Sequence, residues 1–371
     1  MIAAMAIELV WDGKRAAAAE AAEQASASME LPEGNVVIEG DNLDVLRALD
    51  EPVDLIYIDP PYNTGNDFTY HDNFAGHEAW LSMMYPRLLL ARRLLTDTGS
   101  MLISIDDNEI DTLTRLCKEI FGDAHVEVLV WNTEAEGSSG TLKQVRTVRS
   151  SHEYVVACHG AKVQWSRIHE ALAGREHELQ TANLAVNAAR ERSDHPNHFT
   201  ITGPHGDEFT RQWKWDREEI ERLRHEDLLY FGRDERRQPR RIIPTDHRRT
   251  TYLRSILNYG GTTVGRKDFE AVMGKDVEFS YPKPIVLLRK LILSAAGPDA
   301  TVLDFFAGTG TTGVAVEAAN AEDGGTRRFI LVQQPEPAGP RAVDAGLPTL
   351  AAITRERLAR MNIDFSPVYV T

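Results

Sequence analysis

The sequence predicts an α/β fold with a seven-stranded, mostly parallel sheet, and three observations support this. Short apolar runs that suit buried strands alternate with helical apolar spacing over residues 35–131, and the alternation resumes over 285–361. Two of these runs end abruptly, one at Asp59 before two prolines and one in a glycine-rich turn after Asp304. A long polar, arginine-rich segment separates the two blocks. The chain is therefore predicted to build one sheet from two blocks around an insertion.

The strand pattern recurs seven times, and helical spacing follows most of the runs. Parallel strands joined by helices need right-handed crossovers, which places the helices on the faces of the sheet. The predicted strands begin at Asn35, Val53, Met101, Val126, His152, Thr301 and Arg328. The predicted helices cover 43–49, 78–95, 107–121, 285–295 and 348–361, and one more follows the glycine-rich turn and ends near 320.

The apolar run 53–58 stops at Asp59-Pro60-Pro61-Tyr62. Proline lacks an N–H and fixes φ, so the chain has to turn at this point. Ligands of open α/β sheets bind beyond the carboxyl ends of the strands, which would direct Asp59 and Tyr62 into a cleft. The same residues would also suit a plain turn that ends a strand.

The run 301–306 ends in Asp304-Phe305-Phe306-Ala307-Gly308-Thr309-Gly310, and a helix is expected to follow. A glycine-rich turn between a strand and a helix is typical of nucleotide or nucleoside sites. The glycines alone could equally serve tight packing of the helix on the strand. A third strand end, at Gly40-Asp41-Asn42, offers a carboxylate to the same cleft or a cap to the next helix.

The formal charge of −15 argues against binding a polyanion, but the positive charges are unevenly distributed. Residues 233–254 hold eight arginines against three acidic residues, so this block is either a solvated basic surface or the face that meets phosphates. Two cysteines, Cys117 and Cys158, are far apart in the sequence and suggest core residues of a reducing compartment. No signal pattern or bilayer-length apolar run is seen, which favours a cytoplasmic protein without a membrane partner.

Taken together, Asp-Pro-Pro-Tyr at 59–62 and Phe-x-Gly-x-Gly at 306–310 resemble the amino-methyltransferases that use S-adenosylmethionine. Their order, with the cofactor motif last, resembles the β class of DNA adenine-N6 methyltransferases. Gly40-Asp41-Asn42-Leu43 and Pro282-Lys283-Pro284 are also similar to the modification subunits of type III restriction systems and related solitary adenine methylases. The resemblance implies a Rossmann-like, circularly permuted methyltransferase sheet.

The resemblance assigns the target chemistry to Asp59, Pro60, Pro61 and Tyr62. The exocyclic nitrogen of adenine is a poor nucleophile because its lone pair is delocalised into the ring. Asp59 and the Pro60 carbonyl would each accept one amine hydrogen and so localise that lone pair. Tyr62 would stack on a base turned out of the duplex.

The cofactor pocket implied by the resemblance begins at the glycine-rich turn, where Gly308 and Gly310 allow close backbone approach. Where related enzymes carry an acidic residue for the ribose hydroxyls, this chain has Gln333, which can hydrogen-bond a diol without charge assistance. No metal site is expected. The other residues assigned to the cofactor are Asp41, Asp59, Lys283, Asp304, Phe306 and Thr309.

The resemblance also implies a division of the chain and a DNA partner. The expected segments are an N-terminal helical arm (1–34), a catalytic half (35–160), a target-recognition insertion (161–265) and a cofactor-binding half (266–371). Double-stranded DNA is the expected substrate, and a homodimer and a restriction subunit are the expected protein partners. The residues expected to contact DNA are Arg236, Arg237, Arg240, Arg241, Arg248 and Arg249.

Three other functions use similar motifs. A cytosine-N4 methyltransferase applies the same chemistry but more often carries serine at position 59. Methyltransferases of RNA or protein glutamine typically have asparagine there and an earlier glycine-rich turn. A DNA-binding protein on an inactive scaffold would not need Asp59, Tyr62, Gly308 and Gly310 intact.

Overall fold

The computed structural model describes residues 8–23, 25, 27–66, 72–134, 148–170, 181–243 and 249–370. The chain divides into two compact units. The large unit comprises Met1–Ile168 and Tyr252–Thr371, and the small unit is His169–Thr251. The predicted insertion, 161–265, extends beyond the small unit at both ends.

The strands are numbered in chain order. They are β1 (Val36–Glu39), β2 (Val53–Ile58), β3 (Leu95–Ile105), β4 (Val126–Asn132), β5 (His152–His159), β6 (Ile168–Glu170), β7 (Thr181–Asn183), β8 (His198–Thr202), β9 (Glu208–Gln212), β10 (Leu229–Tyr230), β11 (Arg240–Ile242), β12 (Arg249–Thr251), β13 (Ile256–Leu257), β14 (Thr301–Asp304), β15 (Arg328–Gln333) and β16 (Ser366–Tyr369).

The helices are numbered in the same way. They are α1 (Lys14–Ala22), α2 (Asn42–Ala48), α3 (His77–Leu94), α4 (Ile110–Phe121), α5 (Arg217–His225), α6 (Thr262–Met273), α7 (Ile285–Ala295), α8 (Thr311–Asp323), α9 (Pro340–Asp344) and α10 (Leu350–Arg360). None of these helices is long and apolar enough to span a bilayer.

The main sheet lies in the large unit, and its strand order is β13-β4-β5-β3-β2-β14-β15-β1-β16. All seven predicted strands are present, and only β5 runs antiparallel to its neighbours. Two further strands, β13 and β16, form the edges. Their signals were weak because β13 has two residues and β16 contains Pro367, which an edge strand tolerates.

Both faces of the sheet are buried, as a parallel sheet requires. Alternate residues of β2 point to opposite sides: Ile56 packs with α3 and α4, and Leu55 packs with α7 and α8. The central position of β2 and β14 brings their carboxyl ends together, because Leu55 pairs with Val302 and Ile56 with Leu303. The two motifs singled out in the sequence are therefore neighbours at one edge of the sheet.

The N-terminal arm packs on the large unit. Trp11 is buried, contacts the Tyr85 ring edge-on at 5.3 Å, and donates from Nε1 to Ser82 Oγ at 3.0 Å. Lys14 forms an ion pair with Glu119 at 2.7 Å. Trp11 and Lys14 thus anchor the N-terminal arm on α3 and α4.

Cys117 and Cys158 are buried free thiols, as expected of core residues. Their separation in the sequence is misleading, because α4 packs on β5 and brings the two thiols into hydrogen-bonding contact. Burial and then this contact raise the pKa of the Cys158 thiol well above its usual value.

The small unit has its own core of Leu184, Ile201, Trp213 and Leu223. Antiparallel pairing joins β8 to β9, and β11 to both β10 and β7. Trp213, which lies within the predicted target-recognition insertion, is fully buried and donates from Nε1 to the Phe199 carbonyl at 2.8 Å.

Candidate active site

The carboxyl ends of β2 and β14 line one cavity of the large unit. It encloses about 830 Å³ of empty space, counting space open to solvent. The predicted site residues on its wall are Asp59, Pro61, Lys283, Asp304, Phe306, Gly308, Thr309 and Gln333. Asn42, Phe279, Tyr281 and Glu336 also line the cavity and were not singled out from the sequence.

Asp59, directly after β2, is bound by a buried lysine. Lys283 Nζ donates to Asp59 Oδ1 at 2.9 Å and to Oδ2 at 3.0 Å. Tyr62 bonds the same carboxylate, its hydroxyl donating to Oδ1 at 2.8 Å. The Asp59 side chain is 29% exposed, against 8% for that of Lys283. Both groups line the cavity, and the carboxylate is the more exposed of the two.

A second carboxylate, Glu153 on β5, completes this cluster. Its Oε2 lies 3.2 Å from the Tyr62 hydroxyl and 3.5 Å from Lys283 Nζ. Lys283 also donates to the Tyr62 oxygen at 2.7 Å and lies 5.7 Å from the Trp131 ring centroid. Burial by itself would lower the pKa of Lys283, but the charges of Asp59 and Glu153 outweigh it and raise that pKa. The ammonium is thus charged at any physiological pH.

The turn after Asp59 is held by buried side chains. The Pro61 carbonyl accepts a hydrogen bond from Trp80 Nε1 at 2.7 Å. Asn63 has a left-handed backbone (φ 60°), and its amide donates to Asp72 Oδ1 at 2.9 Å. Thr64 donates its amide to the other oxygen of Asp72 at 3.1 Å. Pro61 and Asp72 therefore fix the direction in which Asp59 leaves the strand, and Pro60 is buried beside them.

The glycine-rich turn after β14 is built mainly from backbone. Gly308 and Gly310 have positive φ, at 53° and 75°, which a residue with a Cβ rarely adopts. The Gly308 amide donates to Gln333 Oε1 at 2.7 Å, and the Gly308 carbonyl accepts from Thr354 Oγ1 at 2.5 Å. Helix α8 starts at Thr311, so its free N–H groups lie at the cavity wall.

Asp304 is 2% exposed at the end of β14. It accepts from the Phe306 amide at 3.0 Å and from Thr312 Oγ1 at 2.5 Å. Burial raises the pKa of Asp304 to about 7, against the smaller opposing effect of these two hydrogen bonds. An ordinary aspartate has thereby become a group that titrates near neutrality.

Thr309 is buried, and an arginine of α10 donates hydrogen bonds to it. Arg357 Nη1 donates to Thr309 Oγ1 and to Thr311 Oγ1, both at 2.9 Å. Burial lowers the pKa of Arg357 to about 10. Arg357 was not predicted, because nothing near it in the sequence connects it to the glycine-rich turn.

Asp41 has a structural role in this conformation. It caps α2 by accepting from the Leu43 amide at 2.8 Å, and its other oxygen lies 3.4 Å from Gln334 Nε2. The neighbouring Asn42 lines the cavity instead, donating to the Phe305 carbonyl at 2.7 Å. Gln333 lies at the predicted place, with its side-chain oxygen engaged by the Gly308 amide.

The arginines of the basic block have partners within the small unit. Arg236 lies 3.7 Å from Asp207, and Arg237 lies 3.6 Å from Asp234. Arg240 donates to the Thr181 carbonyl at 3.1 Å, and Arg241 lies 5.9 Å from the Trp215 ring centroid. Arg248 lies outside the described residues, and Arg249 belongs to β12. The side chains of Arg236, Arg237 and Arg240 remain exposed, so these weak contacts leave them accessible to solvent.

This chain is similar to known DNA methylases and methyltransferases. The sequence model of the N6_N4_Mtase family, described as DNA methylase, matches residues 53–335. The type III restriction-modification enzyme StyLTI Mod subunit of Salmonella typhimurium is 35% identical over 88% of this chain and 57% of its own length. Type II methyltransferase M.KpnI of Klebsiella pneumoniae is 29% identical over 88% of this chain and 87% of its own.

A putative DNA modification methylase of Thermus thermophilus, solved with S-adenosyl-L-methionine, is similar at 17% identity. It covers 91% of this chain and all of its own, with a TM-score of 0.44. The chain spans 57% to 63% of the length of three type III Mod subunits that it matches. Since the family model covers most of the sequence, including both motif strands, this chain belongs to the N6_N4_Mtase family of DNA methylases.

Proposed function

We propose that this chain transfers a methyl group from S-adenosylmethionine to the exocyclic N6 of adenine within a specific sequence of double-stranded DNA. The observation that carries the proposal is that Asp59 and the glycine-rich turn line one cavity. One strand end supplies an acceptor for the target amine, and its neighbour supplies a cradle for the methyl donor. Membership of a DNA methylase family supports the same chemistry.

The residues present fit the cofactor. Gly308 lines the cavity with a positive φ of 53°, which a residue with a Cβ rarely adopts, so backbone alone forms that part of the wall. The free N–H groups at the start of α8 suit the carboxylate of the methionine moiety, and Asp304 suits a positive charge. When bound there, S-adenosylmethionine supplies an electrophilic methyl group.

The side chains of the β2 end act on the nucleophile. Asp59 accepts one hydrogen of the target amine, and the Pro60 carbonyl accepts the other, which directs the nitrogen lone pair towards the methyl group. Lys283 donates to the Asp59 carboxylate at 2.9 Å and holds its direction. Tyr62 provides the aromatic face for a base taken out of the duplex.

The test is to incubate the full chain with methyl-labelled cofactor and unmethylated DNA of mixed sequence, and to identify the labelled nucleoside. We expect N6-methyladenine, and sequencing that detects modified bases would give the recognition site. Label on cytosine N4 would support the alternative base with the same chemistry. Two results would contradict the proposal. One is label on RNA or protein alone, and the other is DNA that binds the chain but takes up no label.

Target recognition is assigned to the small unit, since it carries exposed arginines in an acidic chain. We expect that replacing both Arg240 and Arg241 by glutamine removes about two phosphate contacts. The slope of log affinity against log salt concentration should then fall by about two, whatever the DNA sequence. The matched control replaces Arg192 and Arg222, which acidic side chains of the same unit hold at 2.9 Å and 2.6 Å. Equal slopes for both pairs would mean that the basic block is only a solvated surface.

The partners follow from the same proposal. Relatives named as type III Mod subunits suggest a complex with a restriction subunit, and a homodimer is proposed for the methylase itself. The cytoplasm is the proposed compartment, because the substrate is cellular DNA. Light scattering of the chain after gel filtration would give its mass, and a monomeric mass with full activity would contradict the dimer.

A further inference from the structure

We propose that Glu153 accepts the proton that the target amine must lose, and that it acts through Tyr62. This inference rests on the function proposed above and assigns a role to a residue outside both sequence motifs. The cluster of Asp59, Tyr62, Lys283 and Glu153 provides the path.

The Tyr62 hydroxyl has one proton and two carboxylates within reach. Its oxygen already accepts from Lys283 Nζ at 2.7 Å, so the hydroxyl proton is free to point elsewhere. It can point to Asp59 Oδ1 at 2.8 Å or to Glu153 Oε2 at 3.2 Å, and rotation about one C–O bond exchanges the two. The hydroxyl is therefore a bridge between an acceptor in the cavity and a carboxylate outside its lining.

Methyl transfer leaves one proton to be removed. The N–C bond forms as the C–S bond of the sulfonium breaks, and the electron pair of that bond stays on sulfur. The adenine nitrogen then carries a positive charge and loses a proton to Asp59. Asp59 passes a proton to the Tyr62 oxygen while the Tyr62 proton moves to Glu153, so one proton leaves the amine and one arrives at Glu153.

The position of Lys283 favours Glu153 as the place where the proton stops. The ammonium touches both oxygens of Asp59, at 2.9 Å and 3.0 Å, but lies 3.5 Å from Glu153. A carboxylate paired closely with a cation is a good hydrogen-bond acceptor and a poor base. Asp59 and Lys283 alone would be neutral, and Glu153 gives the cluster the negative charge that a proton can neutralise.

Glu153 lies outside the lining of the cavity, and its side chain still contacts solvent. Its side chain is 19% exposed, and its neighbours on other elements are Tyr62, Lys283 and Asp106. Burial raises the pKa of Asp106 to about 6, and the charge of Glu153 makes a smaller contribution in the same direction. A proton on Glu153 can therefore reach solvent while substrates cover Asp59.

The experiment compares single-turnover methylation by the full chain and by Glu153→Gln, on DNA carrying the site that the wild-type chain methylates. Glutamine keeps an oxygen for the Tyr62 hydroxyl but cannot take a proton. We expect the rate to fall about a hundredfold, at the lower end of general acid–base effects, with cofactor binding unchanged within about twofold. Glu127→Gln, an exposed change on the adjacent strand β4, is the control and should leave the rate unchanged.

A second variant separates proton transfer from a structural role. Glu153→Ala should be slow in buffer and at least about tenfold faster with added formate, a carboxylate that can accept the proton. Formamide has the same shape without basicity and should not restore the rate.

The outcomes distinguish failure of the role of Glu153 from failure of the proposed function. A Glu153→Gln rate near that of the wild-type chain, or equal rescue of Glu153→Ala by formamide, would overturn the role of Glu153 while leaving the proposed function intact. Absence of methyladenine with the wild-type chain would overturn the function itself, and this inference with it.

Discussion

Two aspartates at equivalent places in the sheet have opposite electrostatic surroundings. Asp59 follows β2 and Asp304 ends β14, and these strands are hydrogen-bonded neighbours. A buried ammonium touches both oxygens of Asp59. Within the described residues, Asp304 has only neutral hydrogen-bond donors, the Phe306 amide and the Thr312 hydroxyl. The same residue type at the same edge thus has a cationic partner in one strand and neutral hydrogen-bond donors in the next.

We propose that this difference divides the work of the cavity. A carboxylate whose direction is fixed by an ammonium suits an amine whose hydrogens must be held during methyl transfer. A carboxylate with a pKa of about 7 suits the binding of a cation, because ionisation and ligand binding favour each other. The cation of Lys283 therefore distinguishes the transfer side of the cavity from the binding side.

The largest effect is expected at Asp59. Replacing Asp59 by alanine should slow methyl transfer a hundredfold or more, the scale of losing one positioned group at a reacting centre. Cofactor affinity should change little, because the glycine-rich turn and Asp304 remain. Single-turnover rates and calorimetric titration of the cofactor would measure the two effects separately.

The control for this variant is Asp97→Ala, which removes an exposed carboxylate paired with Lys162. It should leave both the rate and the affinity unchanged. Comparable loss of cofactor binding in Asp59→Ala would show that the two strand ends do not divide the work.

The binding side could be predicted from the sequence because it is local. Asp304, Gly308 and Gly310 lie within a few residues of each other, and the positive φ of both glycines is a property that no other residue type adopts easily. The strand and the helix on either side then follow from apolar periodicity. A short window of sequence therefore contains most of the geometry.

The transfer side could be predicted only in part. Asp59 and Tyr62 were recognisable from their motif, but Lys283 and Glu153 come from distant segments that meet only when the sheet forms. Lys283 was assigned by resemblance alone, and Glu153 had no signal beyond a polar residue in a strand. The buried Arg357 and the contact of Cys117 with Cys158 were missed for the same reason, since sequence spacing does not give distance.

The next effect concerns the cation itself. Lys283→Met keeps a long apolar side chain but leaves Asp59 and Glu153 without a counter-charge. We expect the free energy of unfolding to fall by about 3 kcal/mol near pH 8, since removal of one partner leaves charge buried and unpaired. The deficit should shrink as the buffer is acidified, because protonation removes that charge. Urea unfolding at several pH values would measure it.

Lys162→Met is the matched control, because Lys162 and Asp97 are both more than 70% exposed. Exposed pairs contribute little, so this change should have a small effect at every pH. A deficit in Lys283→Met that does not depend on pH would mean that lost packing, rather than unpaired charge, causes it.

The smallest effect tests the binding side through pH. The pKa of Asp304 is raised, so its protonated form is the stable one in the free chain below about pH 7, and the carboxylate forms as the pH rises through that value. If the cofactor cation binds the carboxylate, affinity should increase up to about tenfold between pH 6 and pH 8. Calorimetry in buffers with different ionisation heats should also detect proton release on binding near pH 7.

Asp304→Asn is the reference variant. The cofactor's own amine titrates equally with both proteins, so the difference between their affinity-against-pH profiles isolates the contribution of Asp304. Identical profiles would mean that cofactor binding does not depend on the ionisation of Asp304, and the contrast between the two strand ends would then lie in position alone and not in charge.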